Sequence, residues 1–278
     1  MKKILVPIDF SKNSENALDY AIELAQNEET TIILLHSFYV MYTSPEIPME
    51  YVVEQSSALQ KDADTRLEEL SKKTEKYDKI KCETISMEGF IVDSILTLVK
   101  KKKIDLVVMG TKGASGIAEM LIGSNTAKVI VKAICPVIAV PEKAKFEGID
   151  KVAYATNYLS SDITMLKKLV EFTKRFKAKI EIIHIADGEC QYAYEENLLE
   201  KFSKKVKHKI TYKAISYQLL FGEDVENKLE QYIKKEAINL LALSARKGNL
   251  FERIFRGSLT KKLAYHTSIP LIVFHQKK

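Results

Sequence analysis

The chain has 278 residues, 46% apolar and 29% charged, with three cysteines and a formal net charge of +6. That balance suits a soluble globular protein of one large or two ordinary domains. No run reaches the roughly 18 apolar residues of a membrane span, and MKKILVPIDF is too short and too interrupted by Asp9 to be a signal peptide, so a cytoplasmic location is expected.

In chain order, ILVPI (4–8) reads as a short buried strand. SENALDYAIELAQ (14–26) places Ala17, Leu18, Ala21, Leu24 and Ala25 at helical spacing, with Ser11 or Asn13 available to cap it. TIILLHSF (31–38) is a second buried strand. Residues 41–57 belong to the longer middle of the first half and are expected to form a surface loop, with a mobile flap over the site as the alternative. ALQKDADTRLEELSKKTEKY (58–77) is a charged amphipathic helix with Leu67 and Leu70 inward. CETISM (82–87) alternates like a more exposed strand. IVDSILTLVKKKK (91–103) is a helix whose closing lysines suit its negative dipole end. IDLVVMG (104–110) is a strand, NTAKVIVKAI (125–134) a helix and PVIAV (136–140) a strand. Continuous apolar strands alternating with helices predict a doubly wound parallel sheet, helices on both faces.

The second half repeats the first. KVAYATNYLS (151–160) echoes KKILVPIDFS after the polar linker PEKAKFEG (141–148). His36 and His184 are 148 apart, as are Asp9 and Asn157. Further on, Gly123-Ser124 and Gly257-Ser258, Thr126 and Thr260, Lys128 and Lys262, and Pro136 and Pro270 are each 134 apart. A constant register on either side of one length change indicates tandem duplication, with a first half 14 residues longer in its middle. Charge divides unevenly between the halves. Residues 1–143 hold 18 Lys+Arg against 21 Asp+Glu, and residues 144–278 hold 25 against 16. No nucleic-acid motif accompanies the basic half, lysines on solvated helix faces account for it, and nucleic acid is not expected as a partner.

Of ten glycines, four fall at Gly110, Gly113, Gly116 and Gly123. Glycine serves where the backbone takes φ > 0 or where something approaches it closely. Gly110 follows a strand directly, so it lies at the carboxyl rim where doubly wound sheets bind ligands. Gly123-Ser124 opens a helix, whose free N–H groups attract anions. Asp9 and Ser37 end the first two strands on the same rim, and Ser124 and Thr126 add hydroxyl donors. A phosphorylated ligand fits this rim, with phosphates on the helix start and a base between the strand ends. Tight-turn formation and an ordinary N-cap are the competing reading. Neither a GxxxxGK[ST] loop nor a GxGxxG fingerprint is present.

The spacing Gly110-x2-Gly113-x9-Gly123-Ser124, with VPIDFS, LLHS and PVIAVP, resembles the ATP-binding signature of the universal stress proteins over nearly the whole chain. The resemblance implies two tandem doubly wound parallel five-stranded sheets, an α/β fold of the adenine nucleotide alpha hydrolase-like kind. It implies a domain at 1–142 with an intact motif and one at 147–278 with a degenerate motif. It places Asp9 and the Ser37 backbone at adenine and ribose, and Gly110 and Gly113 at ribose and first phosphates. Gly123, Ser124 and Asn125 take the outer phosphates, usually with a divalent metal such as Mg2+. Pro7, Ile8, Met109, Lys112 and Thr126 complete the implied nucleotide-binding set. It also implies pairing of PVIAV and PLIVF within one molecule, with homodimerisation as a further possibility. The function implied is ATP-dependent regulation in a stress response through a protein partner. A nucleotide-using transferase, a slow ATPase and a ligand-free interaction module are the rivals. AMP, ADP and ATP share the base and first phosphate that the motif serves.

The second half departs from the pattern. Ser244 stands for Gly110, Lys247 for Gly113 and Asn157 for Asp9, so weak or absent ATP binding is expected there. Arg246, Lys247, Arg253 and Arg256 would suit another anion or a solvated loop equally. The repeated His36 and His184 are expected to hold structural hydrogen bonds, because one sits in the half that lost its glycines. His266 and His275 lack partners at metal-ligand spacing. Cys82, Cys135 and Cys190 show no CxxC spacing and read as spectators.

Overall fold

The structure, a computed structural model, describes residues 1–40, 48–111, 123–186, 192–245 and 269–275. The chain divides into two compact units, the first running to Phe146 and the second from Glu147. The first unit holds β1 (Lys3–Pro7), α1 (Lys12–Ala25), β2 (Thr30–Phe38), α2 (Met49–Ser71), β3 (Ile80–Glu88), α3 (Ile91–Lys101), β4 (Leu106–Gly110), α4 (Ser124–Lys132) and β5 (Val137–Val140). Its strands run in the order β3-β2-β1-β4-β5 and all pair in parallel. The second unit holds β6 (Lys151–Ala155), α5 (Asp162–Thr173), β7 (Lys179–Ala186), α6 (Tyr192–Lys209), β8 (Ile215–Phe221), α7 (Val225–Lys235), β9 (Leu240–Ala245) and β10 (Leu271–His275). Its order, β8-β7-β6-β9-β10, is again parallel throughout and repeats the first topology strand for strand.

The continuous apolar strands are buried on both faces. Ile4, Leu5, Val6, Val107 and Val108 and the run Ile32–Leu35 are all 1% exposed or less. Right-handed crossovers put α1 and α2 on one face and send α3 and α4, which pack together, to the other. The direction of winding reverses between β1 and β4, so these neighbours open a crevice at their carboxyl ends.

Two boundaries differ from the expected ones. Residues 49–57, expected in a loop, form the first turns of α2. Pro48 precedes them with φ −58, preset for a helix start, and Val52 is buried at 7% exposure. Residues 41–47 lie outside the described set. The same helix ends at Ser71 rather than Tyr77, closing in a 3-10 turn over Lys72–Thr74. Leu67 is fully buried, as its spacing predicts, while Leu70 is half-buried. Part of the linker packs on the first unit: Asn16 Nδ2 donates to the carbonyls of Pro141 (3.1 Å) and Ala144 (2.9 Å).

Candidate functional site

The end of β1 is built by short-range bonding. Ile8 N donates to Leu35 O at 2.7 Å, extending the β1–β2 ladder one residue beyond the strand. The chain then turns through Phe10, which takes φ +59. Asp9 Oδ1 accepts from Ser11 N (3.0 Å) and Ser11 Oγ (2.5 Å), a local turn that also positions Ser11 as cap. Of the two possible caps the structure selects Ser11, whose Oγ accepts from Ser14 N at 3.3 Å. Asp9 N in turn donates to Ser14 Oγ at 3.3 Å.

The His36 ring braces this turn from β2. Its Nδ1 lies 2.8 Å from Ile8 O, and its ring packs 4.5 Å from that of Phe10, over which the Arg66 guanidinium sits at 3.8 Å. The second unit repeats the device. His184 Nδ1 lies 2.8 Å from Thr156 O, and the His184 ring is 4.5 Å from Tyr158, which takes φ +57. Both histidines serve the backbone, as the repeat suggests.

At the end of β4, Gly110 shows what approaches it. A Cβ there would lie 3.0 Å from Asn13 O and 3.1 Å from Asn13 C, so the first turn of α1 occupies the space a side chain would need. The glycine therefore lets α1 pack closely against β4, while Gly110 also lines the cleft described below. On its other side, Gly110 O accepts from the buried Thr126 Oγ1 at 2.9 Å, tying α4 to β4. Gly123 N donates to Thr111 O at 2.5 Å, and Thr111 N to Val140 O at 3.0 Å.

These contacts leave the start of α4 facing the crevice. Its N-cap is Gly123, no side chain caps it, and Ser124 and Asn125 are exposed. A cleft of about 200 Å³ is lined there by Pro7, Ile8, Asp9, Ser14, Ser37, Ile91, Met109, Gly110, Gly123, Ser124, Asn125 and Thr126. Ten of the twelve residues singled out from sequence thus meet in one place. Lys112 and Gly113 lie outside the described residues, as does Gly116. Ser14 and Ile91 were missed. Ser14 shows in sequence only as part of a helix start, and Ile91 only as the first residue of a helix on the opposite face. Ser37 Oγ is buried and has no hydrogen-bond partner among the described residues. The cleft therefore combines an uncapped helix N-terminus suited to an anion, an orphaned hydroxyl, and an apolar wall of Ile8, Ile91 and Met109 suited to a flat ring.

Asp9 is the only ionisable group among the described lining residues, and among the described residues no three His, Cys, Asp or Glu side chains gather as a metal cluster. The thiols stand apart from the cleft. Burial raises the Cys82 pKa to about 11 and the Cys135 pKa to about 12, so both stay protonated at neutral pH. Cys190 lies outside the described residues.

The turn after β6, which matches the turn after β1, is bonded within itself. The Asp162 carboxylate, 2% exposed, accepts from Tyr154 OH (2.9 Å), Thr156 Oγ1 (2.7 Å) and Leu159 N (3.0 Å). Thr156 Oγ1 also accepts from Tyr158 N at 2.9 Å. Asp162 stands 148 residues after Ser14, so a buried carboxylate replaces the cleft-lining hydroxyl. From α6, Glu195 Oε2 approaches His184 Nε2 at 3.3 Å, both side chains being 13% exposed. Asn157 is exposed and Ser244 half-buried, while Lys247 and Gly257-Ser258 lie outside the described residues.

Comparison with known proteins agrees with the duplication. The universal stress protein family profile matches twice, over residues 1–141 and 148–275. The universal stress protein MJ0531 of Methanocaldococcus jannaschii is 34% identical over 147 residues, covering 52% of this chain and 84% of that protein. Universal stress protein YxiE of Bacillus subtilis is 33% identical over 145 residues, covering 50% of this chain and 97% of that protein. A universal stress protein from Archaeoglobus fulgidus superposes over 99% of this chain and 97% of its own, with a TM-score of 0.75 at 19% identity, which is likeness of fold. The parallel α/β sheets, the doubled topology and the doubled profile match lead to one conclusion: the chain belongs to the universal stress protein family, with two of its domains in tandem.

Proposed function

We propose that the first unit binds an adenine nucleotide, ATP with Mg2+, and acts as a nucleotide-dependent regulator in a stress response, while the second unit binds none. The observation that carries this reading is one cleft holding both the uncapped start of α4 and the buried, unpartnered Ser37 hydroxyl. Phosphates fit the helix start, where Ser124, Asn125 and Thr126 supply N–H groups and the dipole favours negative charge. The base fits against Ile8, Ile91 and Met109, and the sugar lies toward Asp9 and Ser37. A bound Mg2+ would neutralise phosphate charge, with Asp9 the carboxylate among the described lining residues to receive it. Asp9 Oδ1 already accepts two bonds from Ser11, so Asp9 acts as a placed acceptor rather than a strong base. ATP turnover is accordingly expected below about 1 s⁻¹, the low end of ordinary enzymes. In the second unit the Asp162 network occupies the loop that would have to face a ligand, which supports a nucleotide-free domain.

The test is the nucleotide content of the purified protein, read by chromatography after denaturation. A single ATP per chain is expected. Asp9→Asn, which copies Asn157, should lower nucleotide affinity at least tenfold, about 1.4 kcal/mol, with Mg2+ supplied in titration. Two nucleotides per chain would overturn the asymmetry. None, before or after adding ATP with Mg2+, would overturn the site.

A further inference from the structure

The basic excess of the second half reads in sequence as lysines dispersed over helix faces. The fold gathers them. In a parallel sheet every helix-to-strand connection returns at the amino ends of the strands, so the α5–β7 and α6–β8 connections lie at the same end. They lie side by side. Ile180 N donates to Ala214 O at 2.8 Å, and Tyr212 OH donates to Ala178 O at 2.6 Å. The first connection reads KRFKAK (174–179) and the second, with the end of α6, KKVKHKITYK (204–213). Neither contains a carboxylate. Lys177, Lys179, Lys205, Lys207, Lys209 and Lys213 are all exposed, and none makes an ion pair with another described residue.

Two ordinary explanations fall short. Favourable contact with a helix dipole accounts for Lys207 and Lys209 in the last turn of α6 and for Lys177 at the cap of the turn after α5, but not for Lys179 or Lys213, which lie beyond helix ends. Lys177 also occupies left-handed backbone, φ +56, where glycine or asparagine is the default. A need of the fold is excluded by the first unit, which serves as an internal control. Its two equivalent connections read QNEE (26–29) and KKTEKYDK (72–79), four carboxylates against four lysines, and α1 has no basic residue in its last turn. Lys73 there is already paired with Glu15 and Asp19.

We propose that this end of the second unit, formed by the α5–β7 and α6–β8 connections, is a docking surface for the phosphate backbone of nucleic acid, bound without sequence preference. The patch offers point charges and no groups arranged to read base edges, which is the chemistry of backbone contact. It has none of the large exposed apolar side chains that would insert into a membrane; among the described residues of this unit those are Leu159, Tyr192 and Tyr194, all outside both connections. The surface lies at the opposite end of its sheet from the Asp162 loop.

The test is fluorescence anisotropy of the full chain on a 20-bp DNA duplex between 25 and 200 mM salt, about the range over which counterion release is read. Contact with about five phosphates gives a slope of log K against log salt of about −4 to −5. The quadruple variant Lys177→Glu, Lys179→Glu, Lys209→Glu, Lys213→Glu should bind more than tenfold more weakly with a nearly flat slope. Lys72→Glu, Lys76→Glu, Lys79→Glu, Lys81→Glu in the first unit alters net charge equally and should bind within threefold of the parent. Equal losses in the two variants would assign the effect to net charge and overturn the surface. So would parent-like binding by the second-unit variant, failure of the parent to bind duplex at the lowest salt, or binding only to phosphatidylserine vesicles. Circular dichroism of both variants confirms that any loss is not unfolding.

Discussion

The two units place the same frame around different contents. At the end of the first strand both turn through a left-handed aromatic residue, Phe10 or Tyr158, and both brace the turn with a histidine 2.8 Å from a backbone carbonyl. Past that frame they diverge. The first unit carries Ser14 and a turn-bound Asp9 that border an open cleft. The second carries Asp162, whose carboxylate gathers two hydroxyls and a backbone N–H into its own interior. Backbone and brace are shared by both units, while the side chains at matching positions of the turn differ. The histidine illustrates the distinction: its contact with a strand-end carbonyl in both units marks it as part of the frame.

Three measurements would break or sharpen that comparison. The largest effect is expected at Asp162. Asp162→Ala leaves the Tyr154 and Thr156 hydroxyls and Leu159 N without their acceptor in a buried place, at a cost of about 3 kcal/mol. Ser14→Ala, at the matching position, should cost about 1 kcal/mol. Denaturant unfolding of both variants reads the difference, and equal losses would remove the claim that the second loop is held from within.

Next comes the strand end at Gly110. Gly110→Ser copies Ser244 but drives a Cβ to 3.0 Å from the Asn13 carbonyl, so about 2 kcal/mol of destabilisation is expected. Ser244→Gly in the second unit should change stability by less than about 1 kcal/mol. A Gly110→Ser protein that keeps parent stability would show that the contact with Asn13 is not what requires glycine there.

The smallest effect is expected at the histidines. His36→Gln and His184→Gln should each lower stability by about 1 kcal/mol, the worth of one hydrogen bond. His184→Gln should lose slightly more, because the ring also faces Glu195. A loss of nucleotide turnover in His36→Gln, with stability untouched, would make that histidine functional and break the equivalence.

Much of the site was legible beforehand because its signals are local. Asp9 and Ser37 end apolar runs, and Gly123-Ser124 immediately precedes a helical period, so their positions on one rim follow from topology once strands and helices are read. Other features were hidden by distance along the chain. Gly110 meets Asn13 across 97 positions, and nothing in either segment announces it. The helical start at Met49 was hidden differently, since a single buried side chain, Val52, anchors it and a lone apolar residue sets no period.

By itself, then, the sequence determined the duplication, the parallel alternation of strands and helices, and the rim on which Gly110, Gly123, Asp9 and Ser37 sit, because periodicity and chain order alone carry that information. Only the tertiary structure decided that α1 occupies the space beside Gly110, that Asp162 turns inward where Ser14 borders a cleft, and that two lysine-rich connections become one surface. Each is a contact between segments far apart in sequence, and steric fit, burial and charge density act only once packing has brought those segments together.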